Sequence, residues 1–401
     1  MERKSYSMNK SILNSKLAYW IKDIYQIGID KHEKIIVNSA METEGFSEII
    51  NNISPNSVYK VAFIVQGISK YSGGITSVLR LGTYLENYGH SVSYLDYTNQ
   101  NISEIKNNAA FNLPSYQGKI KNYYKTGRED YDVVIATSWE SFYRLNRFKA
   151  YKMYFVQDFE PYFNKFNEKF LLAKKTYELG AHIISLGSWN IEMIRRECNI
   201  VSKLDVLSFP YEPNEYSLRI KRDYLNYAQK KHLKIAVYTK EEGKRIPNIL
   251  QFILKNTYEH FDKKGIKLDV MFFGLKKHYK VSIGKNLGKL NRKQLVELYN
   301  SCDFGMCASM TNISLVPYEM LATGLPVIEF SDGSYVDFLP EESATLIDFN
   351  YLTLIMKLEE LLENPKLIEK QIEIGKAALK KLSWVNTASE FNQILESLVE
   401  K

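Results

Sequence analysis

The chain has 401 residues, room for two or three domains. With 45% hydrophobic and 25% charged residues, 20 glycines and 10 prolines, it is neither disordered nor fibrous. Lys and Arg number 53 against 46 Asp and Glu, a formal charge of +7. That excess is too small for a dedicated nucleic-acid binder, but it suits anionic small molecules or an anionic membrane surface. The three cysteines, Cys198, Cys302 and Cys307, form no CxxC pair, which excludes a disulfide scaffold and a thiolate zinc site and fits a reducing cytoplasm. No apolar run approaches the length of a spanning helix. The expected location is therefore cytoplasmic, with the inner face of the cytoplasmic membrane as the one membrane contact to consider.

Residues 1–55 read as a helical extension. Leu13, Leu17, Trp20, Ile21 and Ile24 form an apolar stripe beside Lys10, Lys16 and Lys22, which suits packing on a neighbouring domain or lying on a membrane interface. Short β-branched runs then alternate with helical patterns, the mark of parallel sheets with crossover helices. Strands are predicted at Tyr59–Val65, Ser91–Tyr97, Asp132–Thr137, Lys152–Val156 and His182–Leu186. A helix over Ile75–Tyr88 carries Val78, Leu79 and Leu85 on one face, with Gly89 at the position after its C-cap. From Tyr211 to Lys231 the chain turns polar, placing a boundary near residues 215–230. A second series follows: strands at Leu233–Tyr238, Leu268–Phe273, Asp303–Ala308 and Pro326–Phe330, and an amphipathic helix over Asn291–Asn300. The expected fold is α/β, with two Rossmann-like domains facing each other across a cleft. We take residues 56–220 as the first and 221–384 as the second, with 385–401 returning to complete the first.

Several segments carry candidate chemistry. In SLVPYEMLATGLPVIEF, a helix beginning near Pro317 places Glu319 in its first turn, where a carboxylate can accept from a ribose diol or merely offset the helix dipole. Gly73-Gly74 follows the first strand, either as a plain turn or as a loop that lets backbone approach a sugar phosphate and permits positive φ. After Leu233–Tyr238 comes TKEEGKR, a charged surface turn or a phosphate site in which Lys240 and Arg245 are the favoured cations over Lys244. Gln157, Asp158 and Glu160 lie just beyond the Lys152–Val156 strand, where catalytic loops usually sit and a carboxylate could take a proton. Asp158 could equally cap the segment starting at Pro161.

These strings resemble GT-B glycosyltransferases. SLVPYEMLATGLPVIEF is similar to their donor-site signature, and LGKLNRKQLVELYNSCDFGMCAS to the segment leading out of the nucleobase pocket. AALKKLSWVNTASEFNQILESL is similar to their C-terminal helix, kinked at Ser383-Trp384, and YSGGITSVLRLGTYLENYGHSV to their glycine-rich loop and helix. Together the likeness covers most of residues 59–401. YFVQDFEPYF, TYELGAHIISLGSWN and FPYEPNEY resemble WsaF-type bacterial rhamnosyltransferases in particular.

The resemblance implies a glycosyltransferase moving a sugar, L-rhamnose from dTDP-L-rhamnose, onto a cell-surface polysaccharide or lipid-linked glycan. A UDP- or GDP-hexose donor and a non-catalytic carbohydrate-binding scaffold are the alternatives. It implies donor contacts at Gly73, Gly74, Lys240, Arg245, Lys289, Ser314, Leu315 and Glu319, catalytic roles at Asp158, Gln157 and Glu160, and no cofactor beyond the nucleotide sugar. It departs from many retaining relatives at Thr311, where a second glutamate, paired with Glu319, would stand.

A metal site is not expected. Asp130-Tyr131-Asp132 has the DxD form, but it precedes a strand instead of following one and reads as a solvated turn. None of the six histidines shows ligand spacing, and His182, opening a buried strand, reads as structural.

Overall fold

The computed structural model describes residues 34–46 and 58–399, apart from 213, 218–221 and 242. The chain divides into two compact units, residues 1–45 and 46–401. In the first, a short helix α1 spans residues 34–41. The stripe from Leu13 to Ile24 lies outside the described residues.

The second unit holds both sheets. Its first half runs β1 (Lys60–Val65), α2 (Gly73–Asn87), β2 (Ser91–Asp96), α3 (Ile102–Asn112), β3 (Lys119–Asn122), β4 (Val133–Ala136) and α4 (Trp139–Phe142). It continues through β5 (Tyr151–Val156), α5 (Glu168–Thr176), β6 (His182–Leu186), α6 (Ser188–Glu197) and β7 (Leu204–Leu207). The seven strands form one parallel sheet in the order β3-β2-β1-β4-β5-β6-β7. Because helices cover both faces, the central strands VAFIV and VVIA are apolar throughout and fully buried.

The second half repeats the plan with β8 (His232–Tyr238), α7 (Pro247–Lys263), β9 (Lys267–Phe273), β10 (Lys285–Asn286), α8 (Arg292–Ser301) and β11 (Phe304–Met306). Then come α9 (Leu315–Ala322), β12 (Val327–Phe330), β13 (Ala344–Ile347), α10 (Tyr351–Glu363), α11 (Lys366–Leu379) and α12 (Trp384–Glu396). Six parallel strands lie in the order β10-β9-β8-β11-β12-β13. In each sheet the order reverses beside the first strand, at β1/β4 and β8/β11, and the loops leaving those strands open a crevice at the carboxyl edge.

Local sequence explains the ends that matter. Tyr88 caps α2, and Gly89 at φ +95 lets His90 N–H return 3.0 Å to the Leu85 carbonyl. Ser383 starts α12 by accepting from the Asn386 N–H, and the helix crosses back to the first sheet. There Glu390 accepts from the Ser208 N–H at 2.6 Å, and Asn392 pairs with His90 at 2.8 Å. The polar stretch after Tyr211 is docked rather than loose. Arg222 donates to the carbonyls of Tyr299, Cys302 and Thr323, and Tyr224 and Tyr227 bury their rings and donate to Gly324 and Asp303 carbonyls. His182 is held at the amino end of β6 between Tyr151 and Asp205, far from the carboxyl edge; burial pushes its imidazole down to about 4.

The two halves meet closely at Gly187, between β6 and α6, where φ is +89 and an added Cβ would overlap the Phe338 ring. Gly187→Ala is expected to destabilise the chain by about 1–3 kcal/mol. Adding Phe338→Ala should recover part of that loss, since it removes the overlap but leaves the positive φ. Thermal unfolding of the single and double variants checks both.

Candidate functional site

Between the carboxyl edges of the two sheets lies a cleft of about 1180 Å3. All eleven residues singled out in the sequence line it: Gly73, Gly74, Gln157, Asp158, Glu160, Lys240, Arg245, Lys289, Ser314, Leu315 and Glu319. The arrangement corrects several of the roles expected of them.

Glu319 is not in the first turn. The helix α9 begins at Leu315, so Glu319 lies one turn in, with no acidic residue at the helix start to offset the dipole. Its carboxylate instead accepts from the Tyr299 hydroxyl at 3.0 Å. Burial pushes this carboxyl up to about 7, opposed by hydrogen bonds from Tyr299 and Tyr216. At the start of α9, Ser314 makes no side-chain cap, and its buried Oγ has no partner among the described residues. The first-turn N–H groups of Leu315 and Val316 are thus left uncapped at the cleft, an arrangement suited to an anionic ligand.

The glycines also differ from expectation. Gly73 and Gly74 are the first two residues of α2 and are not in the left-handed region; the strained residue is Tyr71, at φ +60. Their lack of side chains matters for space. A Cβ on Gly73 would meet nothing within 4 Å, leaving room for a ligand, whereas one on Gly74 would lie 3.4 Å from the Gln157 amide.

The four cations separate. Arg245 is buried, donates to the Ala308 carbonyl at 2.8 Å, and leaves its Nε without a partner among the described residues. Lys240 and Lys289 line the cleft with exposed side chains. Lys244, the least favoured from sequence, is engaged: it forms an ion pair with Asp158 and lies 4.7 Å above the Phe163 ring.

Asp158 is not a helix cap, since the 3₁₀ turn Glu160–Phe163 is entered through Phe159 with no side-chain cap. Nor does its carboxylate point free into the cleft. It accepts from the Phe159 N–H at 2.9 Å within its own half, and from Lys244, Thr311 Oγ1 at 3.1 Å and the Asn312 N–H at 3.3 Å of the other half. Asn312 adds a bond to the Gln157 carbonyl at 2.7 Å. Thr311 therefore ties the halves together. Glu160 accepts from the Trp139 N–H and from Tyr154 at 2.8 Å, and burial pushes it up to about 7.

Sequence reasoning missed several participants. Glu329 on β12 is buried and accepts from the Ser309 N–H and Oγ, fixing the loop between β11 and α9. Arg80 on α2 pairs with Glu212 and Glu215, and Arg292 on α8 pairs with Glu215 at 2.8 Å. No local pattern marked these residues, because the partners of Arg80 lie more than a hundred positions away along the chain. Asp130 and Asp132 accept from the backbone N–H groups of Gly127 and Lys60. Among the described residues no cluster of three or more His, Cys, Asp or Glu could hold a metal ion, and no helix is long and apolar enough to cross a membrane.

No family model matches the chain. It is 24% identical over 276 residues to the O-antigen biosynthesis protein RfbC of Myxococcus xanthus, a match covering 67% of this chain but spanning only 21% of that protein. Among solved structures, Anabaena HepE in complex with UDP and glucose is similar with a TM-score of 0.65 and 11% identity, over 84% of this chain and 100% of that one. Sucrose-phosphate synthase of Thermosynechococcus elongatus is similar with a TM-score of 0.62 and 13% identity, over 85% and 99%. The fold is therefore that of the GT-B glycosyltransferases, two parallel-sheet α/β domains in one chain.

Because Asp158 faces Lys244 in a buried setting, Asp158→Asn should destabilise the chain by about 1–3 kcal/mol through the cation left unpaired. Asp158→Asn combined with Lys244→Met should be more stable than the single variant, since both charges then go. Denaturant unfolding of the three proteins tests this.

Proposed function

We propose that the protein is a metal-independent glycosyltransferase that binds a nucleotide sugar in the cleft and passes the sugar to a cell-surface glycan or lipid-linked glycan. The supporting observation is the uncapped start of α9, with Ser314 and Leu315 beside Arg245 and Glu319, facing the start of α2 across the cleft. In this reading the diphosphate lies against the α9 N–H groups, with the Arg245 guanidinium and the Lys240 and Lys289 ammoniums near it and Gly73 leaving room for close approach. As the bond from the anomeric carbon to the phosphate oxygen breaks, charge grows on that oxygen, and fixed N–H groups and cations stabilise it without a divalent ion. The acceptor hydroxyl forms the new bond to the anomeric carbon. Its proton can pass to the departing phosphate oxygen, an outcome that fits retention of configuration. Gln157, beside Gly74, lies where an acceptor hydroxyl would be oriented. Asp158 acts by holding the loops that carry these groups, and Glu160 by fixing Trp139 and Tyr154.

The donor is read in two ways. The strings around Gln157 and Phe209 resemble rhamnosyltransferases, which favours dTDP-L-rhamnose. Glu319 favours a ribonucleotide, UDP or GDP, because a carboxylate facing a full ribose can accept from two hydroxyls where a deoxyribose offers one; the complex of HepE with UDP and glucose supports the same choice. A match to an O-antigen biosynthesis protein supports a surface-polysaccharide acceptor.

Titrating the protein with dTDP, UDP and GDP should raise the unfolding midpoint with one nucleotide, identifying the donor class; no response to any would leave only a carbohydrate-binding scaffold. Glu319→Gln should weaken that nucleotide roughly ten- to a hundredfold, the cost of a lost charged acceptor. Because the Glu319 carboxyl is held at about 7, wild-type affinity should rise from about pH 6 to 8 as the acceptor ionises, and Glu319→Gln should lose that component. Turnover should survive chelators; a strict need for Mg2+ or Mn2+ would overturn the metal-independent reading.

A further inference from the structure

The rim of the cleft carries aromatic side chains that the proposed reaction does not use. In the segment from residue 162 to 171, Phe166 is 81% exposed, Leu171 52%, Phe163 50% and Tyr162 39%. Phe166 and Phe170 pack ring against ring at 5.3 Å, and Phe163, three residues before Phe166, lines the cleft. A folded monomer rarely leaves so many large apolar groups together in water unless something covers them.

Cations surround this surface. Lys165 lies between Phe163 and Phe166, and α5 adds Lys169, Lys174 and Lys175. The last turn of α6 carries Arg195 and Arg196, and Arg196 donates to the Tyr162 hydroxyl at 3.5 Å, placing it at the edge of the patch. The acidic residues of the same surface are Glu168 at the start of α5, Glu178 beyond its end, paired with Lys175 at 3.5 Å, and Glu192 and Glu197 on α6, the latter paired with Arg196 at 3.0 Å. Lys165, Lys174 and Arg195 still leave a cationic excess beside the rings. Aromatic rings flanked by Lys and Arg are the side chains that settle at the headgroup level of a bilayer. There the rings reach the acyl boundary and the cations meet anionic lipid.

We propose that this surface, formed by Tyr162, Phe163, Phe166, Leu171 and the cations beside them, docks the protein on an anionic membrane. The docked orientation brings the cleft mouth at Phe163 to the headgroup plane, where the sugar end of a lipid-linked acceptor lies. The docking adds to the proposed function without depending on it, because binding is read with no nucleotide present.

Co-sedimentation of the full chain with vesicles is the test. Binding is expected to equimolar phosphatidylcholine/phosphatidylglycerol vesicles, to weaken with added salt, and to be absent with phosphatidylcholine alone. Lys165→Gln with Lys174→Gln should weaken it roughly thirtyfold, at about fivefold per charge, and Phe166→Ser with Leu171→Ser should abolish it. Both variants should keep the wild-type nucleotide response, which separates a failure of this surface from a failure of the transferase reading. No vesicle binding by the wild type, or equal binding to neutral vesicles, would overturn the proposal. So would loss of binding in Leu17→Ser with Trp20→Ser but not in the Phe166 variant, which would assign the contact to the N-terminal stripe. A dimer in solution that Phe166→Ser dissociates would overturn it too, by making a second copy the occupant.

Discussion

The carboxylate of Asp158 joins the two halves of the molecule. It comes from the loop after β5, its side chain is only 6% exposed, and three of its four donors belong to the opposite half. A charge buried to that degree persists only if it is paired and its remaining lone pairs are filled. Lys244, Thr311 and the Asn312 N–H meet that requirement, and in doing so they fix the loops after β8 and β11 against the first sheet. Those two loops carry Lys240, Arg245, Ser314 and the start of α9. This clasp, together with the Asn312 bond to the Gln157 carbonyl and the close contact of Gly187 with Phe338, sets the shape of the cleft.

The neighbouring carboxylates divide their tasks by environment. Glu329 is sealed inside the second half and spent on Ser309, which orders the loop beneath the cleft floor. Glu160 is spent on Trp139 and Tyr154. Glu319 alone is met mainly by tyrosine hydroxyls, each able to act as donor or acceptor. Burial raises all three, so each carries charge only where its partners make it favourable. The cations show the same division: Lys244 is consumed in the clasp, while Lys240 and Lys289 stay exposed at the cleft.

Much of the architecture was legible in the sequence. Apolar runs of strand length alternating with 3.6-period helices pointed to two doubly wound sheets, and Gly89 marked the end of α2 because only a left-handed residue closes that helix so tightly. Short or edge strands such as Leu204–Leu207 and Ala344–Ile347 escaped notice, since four residues carry too little periodicity. The buried role of Tyr216, Tyr224 and Tyr227 was hidden by the charges around them in a stretch that looks like a linker. The membership of the site was legible because strand ends and helix starts can be placed from local pattern. The roles were not. Whether Asp158 caps, catalyses or clasps depends on Lys244 and Thr311, residues 86 and 153 positions away, and no local spacing encodes such a pairing. The register of α9 was missed by two residues, enough to move Glu319 from the dipole end into a tyrosine-lined recess.

The central claim is that the start of α9 receives the diphosphate of a donor. Hydrogen exchange of backbone amides, with and without saturating nucleoside diphosphate, reads those N–H groups directly. The account predicts slowed exchange at Leu315 and Val316, together with the start of α2 at Gly73 and Gly74, and little change at the amino edges of the two sheets. Protection confined to other parts of the molecule, with Leu315 and Val316 unaffected under saturation, would contradict it.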